Sequence, residues 1–292
     1  MCKNSLTLKL IIYGFSTPVK RVYVNFNTRC LSRTYRLRML NLRYFLLLVL
    51  AAALQLLSTI GVILWSRTLP AGDVIGFISV RGGTSDLYLM DMNRRVEARL
   101  TWHAAVYAPP AWSPDGQQIA FVAYRVDNWE LFAINADGSN LRRLTRNDSQ
   151  DTNPVWTADS HHIVFMSEGF GYRETRIIAD DGSGLARYDD PERLLLRNPY
   201  WSEVHQRFLY SSNQRADHEI YLASEDSDHV EQLTDNDAGD FSPAWSPDEQ
   251  QIVFVSTRDG SYELYLMSAD GSIQRRLTVN GVSDNWPTWR PG

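Results

Sequence analysis

The chain has 292 residues, 44% of them hydrophobic, a length that allows one or two domains with a substantial core. Its formal charge of −5 is unevenly placed: residues 1–66 hold nine Lys or Arg and no Asp or Glu, and the remainder holds 20 arginines against all 34 acidic residues, a net −14. An acidic body excludes it as a binder of nucleic acid phosphates or anionic lipid, and both cysteines, Cys2 and Cys30, lie in the basic head, so the body has neither a disulfide nor a thiolate ligand.

Residues 1–44 are basic and show no sustained hydrophobic period. They read either as a cytoplasmic tail or as a start-site artefact, since Met39 followed by LNLRYFLLLVL would open an ordinary N-terminal anchor. From Phe45 to Trp65 the chain runs 21 residues without a charge. At about 1.5 Å per residue that crosses a hydrocarbon core of about 30 Å. A secretory signal would be shorter and end in a small-x-small site, and none stands between Gly61 and Gly72. Residues 45–66 are therefore expected to form an uncleaved transmembrane helix. Arg33, Arg36, Arg38 and Arg43 crowd its N-terminal flank, against Arg67 alone beyond it. The positive-inside rule then places the N-terminus in the cytoplasm and the body in the periplasm or outside the cell.

The body, residues 73–292, is a repeat. Trp112, Trp156, Trp201, Trp245 and Trp289 are spaced by 44, 45, 44 and 44 residues. Phe77, Phe121, Phe165, Tyr210 and Phe254 follow the same period, as do the acids Asp86, Glu130, Glu174, Glu219 and Glu263. Within one copy, PAWSPDG closes at Pro114-Asp115-Gly116, Ile119–Ala123 is a short apolar run, Glu130–Ile134 alternates up to Asp137-Gly138, and Leu141–Thr145 follows. These are four short strands joined by tight turns. Such a unit buries a face only by stacking on neighbours around an axis, which is a propeller blade.

The blocks PAWSPDGQQIAF with INADGSNLRRLT, and PAWSPDEQQIVF with LYLMSADGSIQRRLT, resemble the WD40-like repeats of TolB-type propellers. Two copies depart from the pattern, with turns reading Ala158-Asp159-Ser160 and Glu203-Val204-His205. The resemblance implies an all-β propeller, and six blades. The phase of the repeat points to five: the first copy begins at its second strand, Val74 to Val80, and the chain ends on a fifth Trp strand, Trp286 to Arg290. That last strand completes the first blade and removes the free sheet edges. Six blades is the alternative if one copy escapes the alignment. Propellers of this repeat type also occur ahead of a serine-hydrolase domain, which is not expected in this chain.

In such a blade the Pro-Asp-Gly and Asp-Gly turns share one face. The variable second-to-third-strand loops and blade-to-blade crossings share the other, where a binding site is expected. Asp151, Asp240 and Asp284 each stand three residues before the proline opening a Trp strand; Tyr107 and Leu196 replace them in the other two copies. Three carboxylates at a channel mouth could hold Ca²⁺, and are the metal candidates; the competing reading is that each Asp caps its own crossing loop. Trp129, Phe170, Tyr172 and Tyr262 sit in variable loops, where exposed aromatics would suit protein or sugar recognition. The acid opening each third strand is expected to build blades, and Arg142–Arg143 and Arg275–Arg276 to be solvated edge-strand charges. The histidines form no metal set, and no H-E-x-x-H, G-x-S-x-G or Gly-rich phosphate loop is present, so no catalytic residue is assigned. The expected function is a membrane-anchored module that binds a protein or envelope polymer. The alternatives are a polysaccharide- or peptide-processing enzyme at the channel mouth, or a ligand sensor, and fold alone does not choose among them.

Overall fold

Alternating apolar runs bounded by Asp-Gly turns form the expected strands. The computed structural model describes residues 5–12, 20–27, 74–125, 128–169, 171–188, 201–202, 204–213, 217–224 and 230–292. The expected membrane helix at 45–66 lies outside the described residues, and among those described no helix is long and apolar enough to cross a membrane.

Two compact units divide the chain at Ser58. In the first, Ser5–Ile12 pairs antiparallel with Lys20–Asn27, register Leu6↔Phe26, Leu8↔Val24 and Leu10↔Val22. This hairpin lies in the span where sequence periodicity suggested no element.

The second unit contains, among the described residues, five four-stranded antiparallel sheets, each with its strands in the order a-b-c-d. The first sheet joins Asp284–Trp289, Val74–Arg81, Thr84–Asp91 and Val96–Arg99; the second joins Ala111–Trp112, Gln118–Arg125, Asn128–Asn135 and Arg142–Arg143. The third joins Gln150–Trp156, His162–Gly169, Tyr172–Ala179 and Ala186–Arg187. Trp201–Ser202, Arg207–Ser212, Glu219–Ser224 and Val230–Gln232 make the fourth, and Asp240–Trp245, Gln251–Ser256, Glu263–Ser268 and Arg275–Arg276 the fifth. The last strand of the chain is thus strand a of the first sheet, paired Asp284↔Ser79 and Trp289↔Ile75. This is the closure that the phase of the repeat predicts.

Successive sheets bury their faces against one another. Separate apolar clusters join the fifth sheet to the first, the first to the second, the second to the third, and the fourth to the fifth. Phe77, Phe121, Phe165 and Phe254 are fully buried in them, and Trp112, Trp156, Trp245 and Trp289 of the a strands belong to them. Trp156 Nε1 reaches across to donate to the Ala111 carbonyl of the preceding sheet at 3.0 Å. The indole N–H groups of Trp112, Trp245 and Trp289 are buried without a partner among the described residues, so these three act through packing.

The a–b turns explain the two copies without Pro-Asp-Gly. In the second sheet Ser113 Oγ donates to Asp115 at 2.6 Å, and Gly116 takes a φ of 65°. A side chain on Gly116 would also meet Arg290 Nε at 2.9 Å. In the third, Thr157 Oγ1 donates to Asp159 at 2.6 Å, with Ser160 at φ 61° where Gly116 stood. In the fourth, Val204 replaces the Asp, and Glu249 of the neighbouring turn supplies the carboxylate to Ser202 Oγ and, at 2.9 Å, to Val204 N–H. The turn persists because any nearby carboxylate can satisfy the same donors.

Candidate functional site

Because the strands of each sheet alternate in direction, a–b and c–d turns lie on one face and b–c hairpins and d–a crossings on the other. The loop face rests on a repeated clamp. The acid opening strand c is buried in four sheets and accepts from a threonine at the end of strand d: Thr101 to Asp86 at 2.9 Å, Thr145 to Glu130 and Thr278 to Glu263 at 2.6 Å, with Thr234 and Glu219 alike. Each threonine oxygen also accepts the N–H following the acid, as from Leu131 to Thr145 at 3.0 Å. An arginine two residues before the threonine closes the clamp: Arg99, Arg143 and Arg276 reach Asp86, Glu130 and Glu263 at 2.7, 3.0 and 2.7 Å.

The reading of those arginine pairs as solvated edge charges is therefore corrected. The second arginine of each pair is an ion-pair partner of a buried acid, and Arg142 bonds to Gln118 and the Asp180 carbonyl. Burial pushes Glu263 up, but hydrogen bonds from Thr278, Ser261 and Arg276 outweigh it and hold its carboxyl below the usual range.

The three crossing-loop aspartates are fully buried. Asp151 accepts from Ser167 at 2.6 Å and Asn147 at 2.8 Å. Asp284 accepts from Ser79 and, at 2.7 Å, from Asn280. Asp240 accepts from Asn236 at 2.8 Å and Arg258 at 3.0 Å, while its Oδ1 has no partner among the described residues. Each is occupied in tying its own crossing to its own sheet, and among the described residues no three His, Cys, Asp or Glu come together to hold a metal ion. Burial raises Asp151 and Asp284 above the usual carboxylate range, against the pull of these hydrogen bonds.

The aromatic candidates fare differently. Trp129 packs against the core between the second and third sheets and stacks on Tyr107, centroids 4.4 Å apart. Tyr124 meets Trp129 edge-on at 4.9 Å, and Trp286 of the first sheet meets Tyr107 at 6.1 Å. Tyr107 is 62% exposed and Tyr124 is 42% exposed. Tyr172 is also exposed, and its hydroxyl lies 2.9 Å from Ser149 Oγ on the adjoining crossing. Tyr262 belongs to a separate group with Phe241, 6.0 Å away, which in turn stacks on His218. Phe170 lies outside the described residues. Tyr107, Tyr124 and Trp286 escape sequence reading, although one signal was present: Tyr107 breaks the Asp series, and Ala123 breaks the serine series that pairs with it.

Beside this platform lies an open pocket of about 520 Å³ lined by Arg125, Asn128, Glu130, Arg143, Arg146, Asn147 and Asp148. Its charges are largely committed. Arg143 pairs with Glu130, and Arg125 donates to the carbonyls of Ala104 and Tyr124 at 2.6 and 2.7 Å.

A family model for the TolB beta propeller domain matches residues 19–188 and 193–292. No curated protein sequence matches the chain. Among solved structures, TolB from Acinetobacter baumannii is 21% identical over 75% of this chain and 55% of its own, with a TM-score of 0.39. Hydrazine synthase from Kuenenia stuttgartiensis is 13% identical over 76% and 47%, TM-score 0.46. A variant of the AtxE2 isopeptidase with Astexin3-dC4 bound is 7% identical over 71% and 50%, TM-score 0.51, a likeness of fold alone. The chain spans about half the length of each of these proteins.

Proposed function

The chain belongs to the TolB β-propeller domain family, and on that premise we propose that it is a protein-binding module which presents its loop face to a partner. The observation that carries this reading is the aromatic platform, where the unrepeated Tyr107 and Tyr124 stand exposed on a face whose repeated acids are buried in four sheets. Large exposed aromatics grouped on a rigid sheet are the residues that dominate binding energy at protein interfaces. We read the ring as five blades, supported by the five four-stranded sheets among the described residues and the pairing of Asp284–Trp289 with Val74–Arg81. The uncharged run Phe45 to Trp65 and its basic flank support a membrane anchor with the propeller on the extracytoplasmic side.

The test is site-specific photocross-linking of the full chain in its native membranes. Probes at Tyr107 and Tyr172 on the loop face are expected to capture one and the same protein. Probes at Asp137 and Asp181 on the turn face are expected to capture none. Capture from the turn face alone would overturn the reading.

A further inference from the structure

We propose that the platform on the second sheet receives a lysine- or arginine-bearing segment of the partner; this rests on the binding role above and adds the site and its chemistry. The repeat itself marks the place. In the first and third sheets a buried Asp accepts a hydrogen bond from a serine of strand b, as Asp284 does from Ser79 and Asp151 from Ser167. In the second sheet both ends of that tie are replaced together, by Tyr107 and Ala123, and the tyrosine turns outward onto Trp129. A second departure lies next to it. The residue before the proline of strand a has positive φ in three sheets, at Asn153 (53°), Ser242 (48°) and Trp286 (51°). Asn and Ser are small there, whereas a bulky indole held left-handed is disfavoured; this one bridges the buried cluster between the first and second sheets and the Tyr107 ring.

The occupant follows from what the platform offers. Strand b of this sheet is bonded on one side to strand c and on the other to the crossing, through Tyr107 N–H to the Val122 carbonyl and Tyr124 N–H to the Ala105 carbonyl, so an added strand finds no edge beside the hairpin. The rings are all Tyr and Trp, without the aliphatic anchors that seat an amphipathic helix. Their faces attract cations, Arg above all. Charge over the face as a whole agrees: Asp148, Glu168, Asp217, Asp235 and Asp237 are exposed and make no hydrogen bond or ion pair among the described residues, and they outnumber the exposed Arg146 and Arg173. Asp148 lies on the crossing to which Asn128, the neighbour of Trp129, is tied through the carbonyls of Asn147 and Ser149. With the body at −14, the field over this face steers cationic segments in and anionic polymers away.

The test is calorimetric titration of the full chain in neutral detergent with a capped hexa-arginine peptide, alongside hexa-glutamate and chitohexaose. Hexa-arginine is expected to bind saturably, and to weaken as salt rises. Tyr107→Ala should weaken it about five- to tenfold. Trp286→Asn should weaken it similarly and lower the melting temperature, since the indole also packs against the buried cluster between the first and second sheets; Tyr107→Ala, at the exposed ring, should weaken binding with the melting temperature little changed. Undiminished binding by both variants, or preference for chitohexaose or hexa-glutamate, overturns the inference. If the loop face still captures a protein in native membranes, the binding role survives that failure.

Discussion

The two faces of the propeller use the same residue types in opposite ways. On the turn face Asp115, Asp137, Asp159, Asp181, Asp248 and Asp270 each accept a hydrogen bond from a group one or two residues away. On the loop face the repeated acids of four sheets are buried in the clamp, while Asp148, Glu168, Asp217, Asp235 and Asp237, which do not repeat, stand exposed and unbonded among the described residues. In those four sheets repetition marks carboxylates consumed by the scaffold; Glu174, which pairs with Arg176, and Asp259, which accepts from Tyr265 and pairs with Arg276, depart from that division. The aromatics follow the same rule, since the periodic Trp and Phe are core and the unrepeated Tyr107, Tyr124 and Trp286 gather at the platform.

The largest test of this contrast is the clamp beneath the loop face. Glu130→Ala leaves Arg143 without its anion and Thr145 without its acceptor in a buried setting, and is expected to cost about 3 kcal/mol. A thermal or denaturant melt checks it. A loss no greater than that from Asp137→Ala on the turn face would reverse the order claimed for the two regions. A smaller change of opposite sign is expected at Ile273, which is 78% exposed and holds a φ of 53° where the second sheet has Asn140 at 55°. A branched residue is disfavoured there, so Ile273→Asn should stabilise by about 1 kcal/mol. An unchanged melt would mean that turn relaxes freely.

The smallest effect is in pH. Asp159 is held well below the usual carboxylate range by hydrogen bonds from Thr157, His161 and His162. Its folded pKa lies below the unfolded one, so its contribution is present above pH about 4 and is lost as pH falls toward the folded value. The group is about half exposed, and solvent screening leaves it a few tenths of a kcal/mol. Asp159→Asn should then melt slightly below the parent at pH 6 and converge with it in acid. Asp284 has the opposite sign, because burial raises it and partial protonation relieves the folded state as pH falls from neutral toward 4. A variant Asp159 curve parallel to the parent throughout would remove the electrostatic part of the turn-face account.

Much of this was legible in the sequence. The period of the tryptophans, the strand order within a copy and the pairing of the last strand with Val74–Arg81 all follow from local spacing. Asp151 and Asp284 hold their crossings through the side chains of Asn147 and Asn280 rather than through backbone N–H groups. Trp129 and Tyr172 were identifiable as unrepeated loop aromatics. Arg143 and Arg276 were not readable as clamp members, because an arginine on a short outer strand looks the same whether it faces water or folds back onto a buried acid. The fourth sheet's turn was illegible for a similar reason: its carboxylate, Glu249, comes from the next sheet.

What the sequence by itself determined is the blade and its phase, since alternation and turn chemistry act between residues close along the chain. Which carboxylates are consumed, and which rings meet, was decided only by the tertiary structure. Tyr107 and Trp286 lie in different copies, and they come within 6.1 Å because the final strand is drawn into the first sheet beside the second. Ring closure converts distant positions into neighbours, and no local period records it.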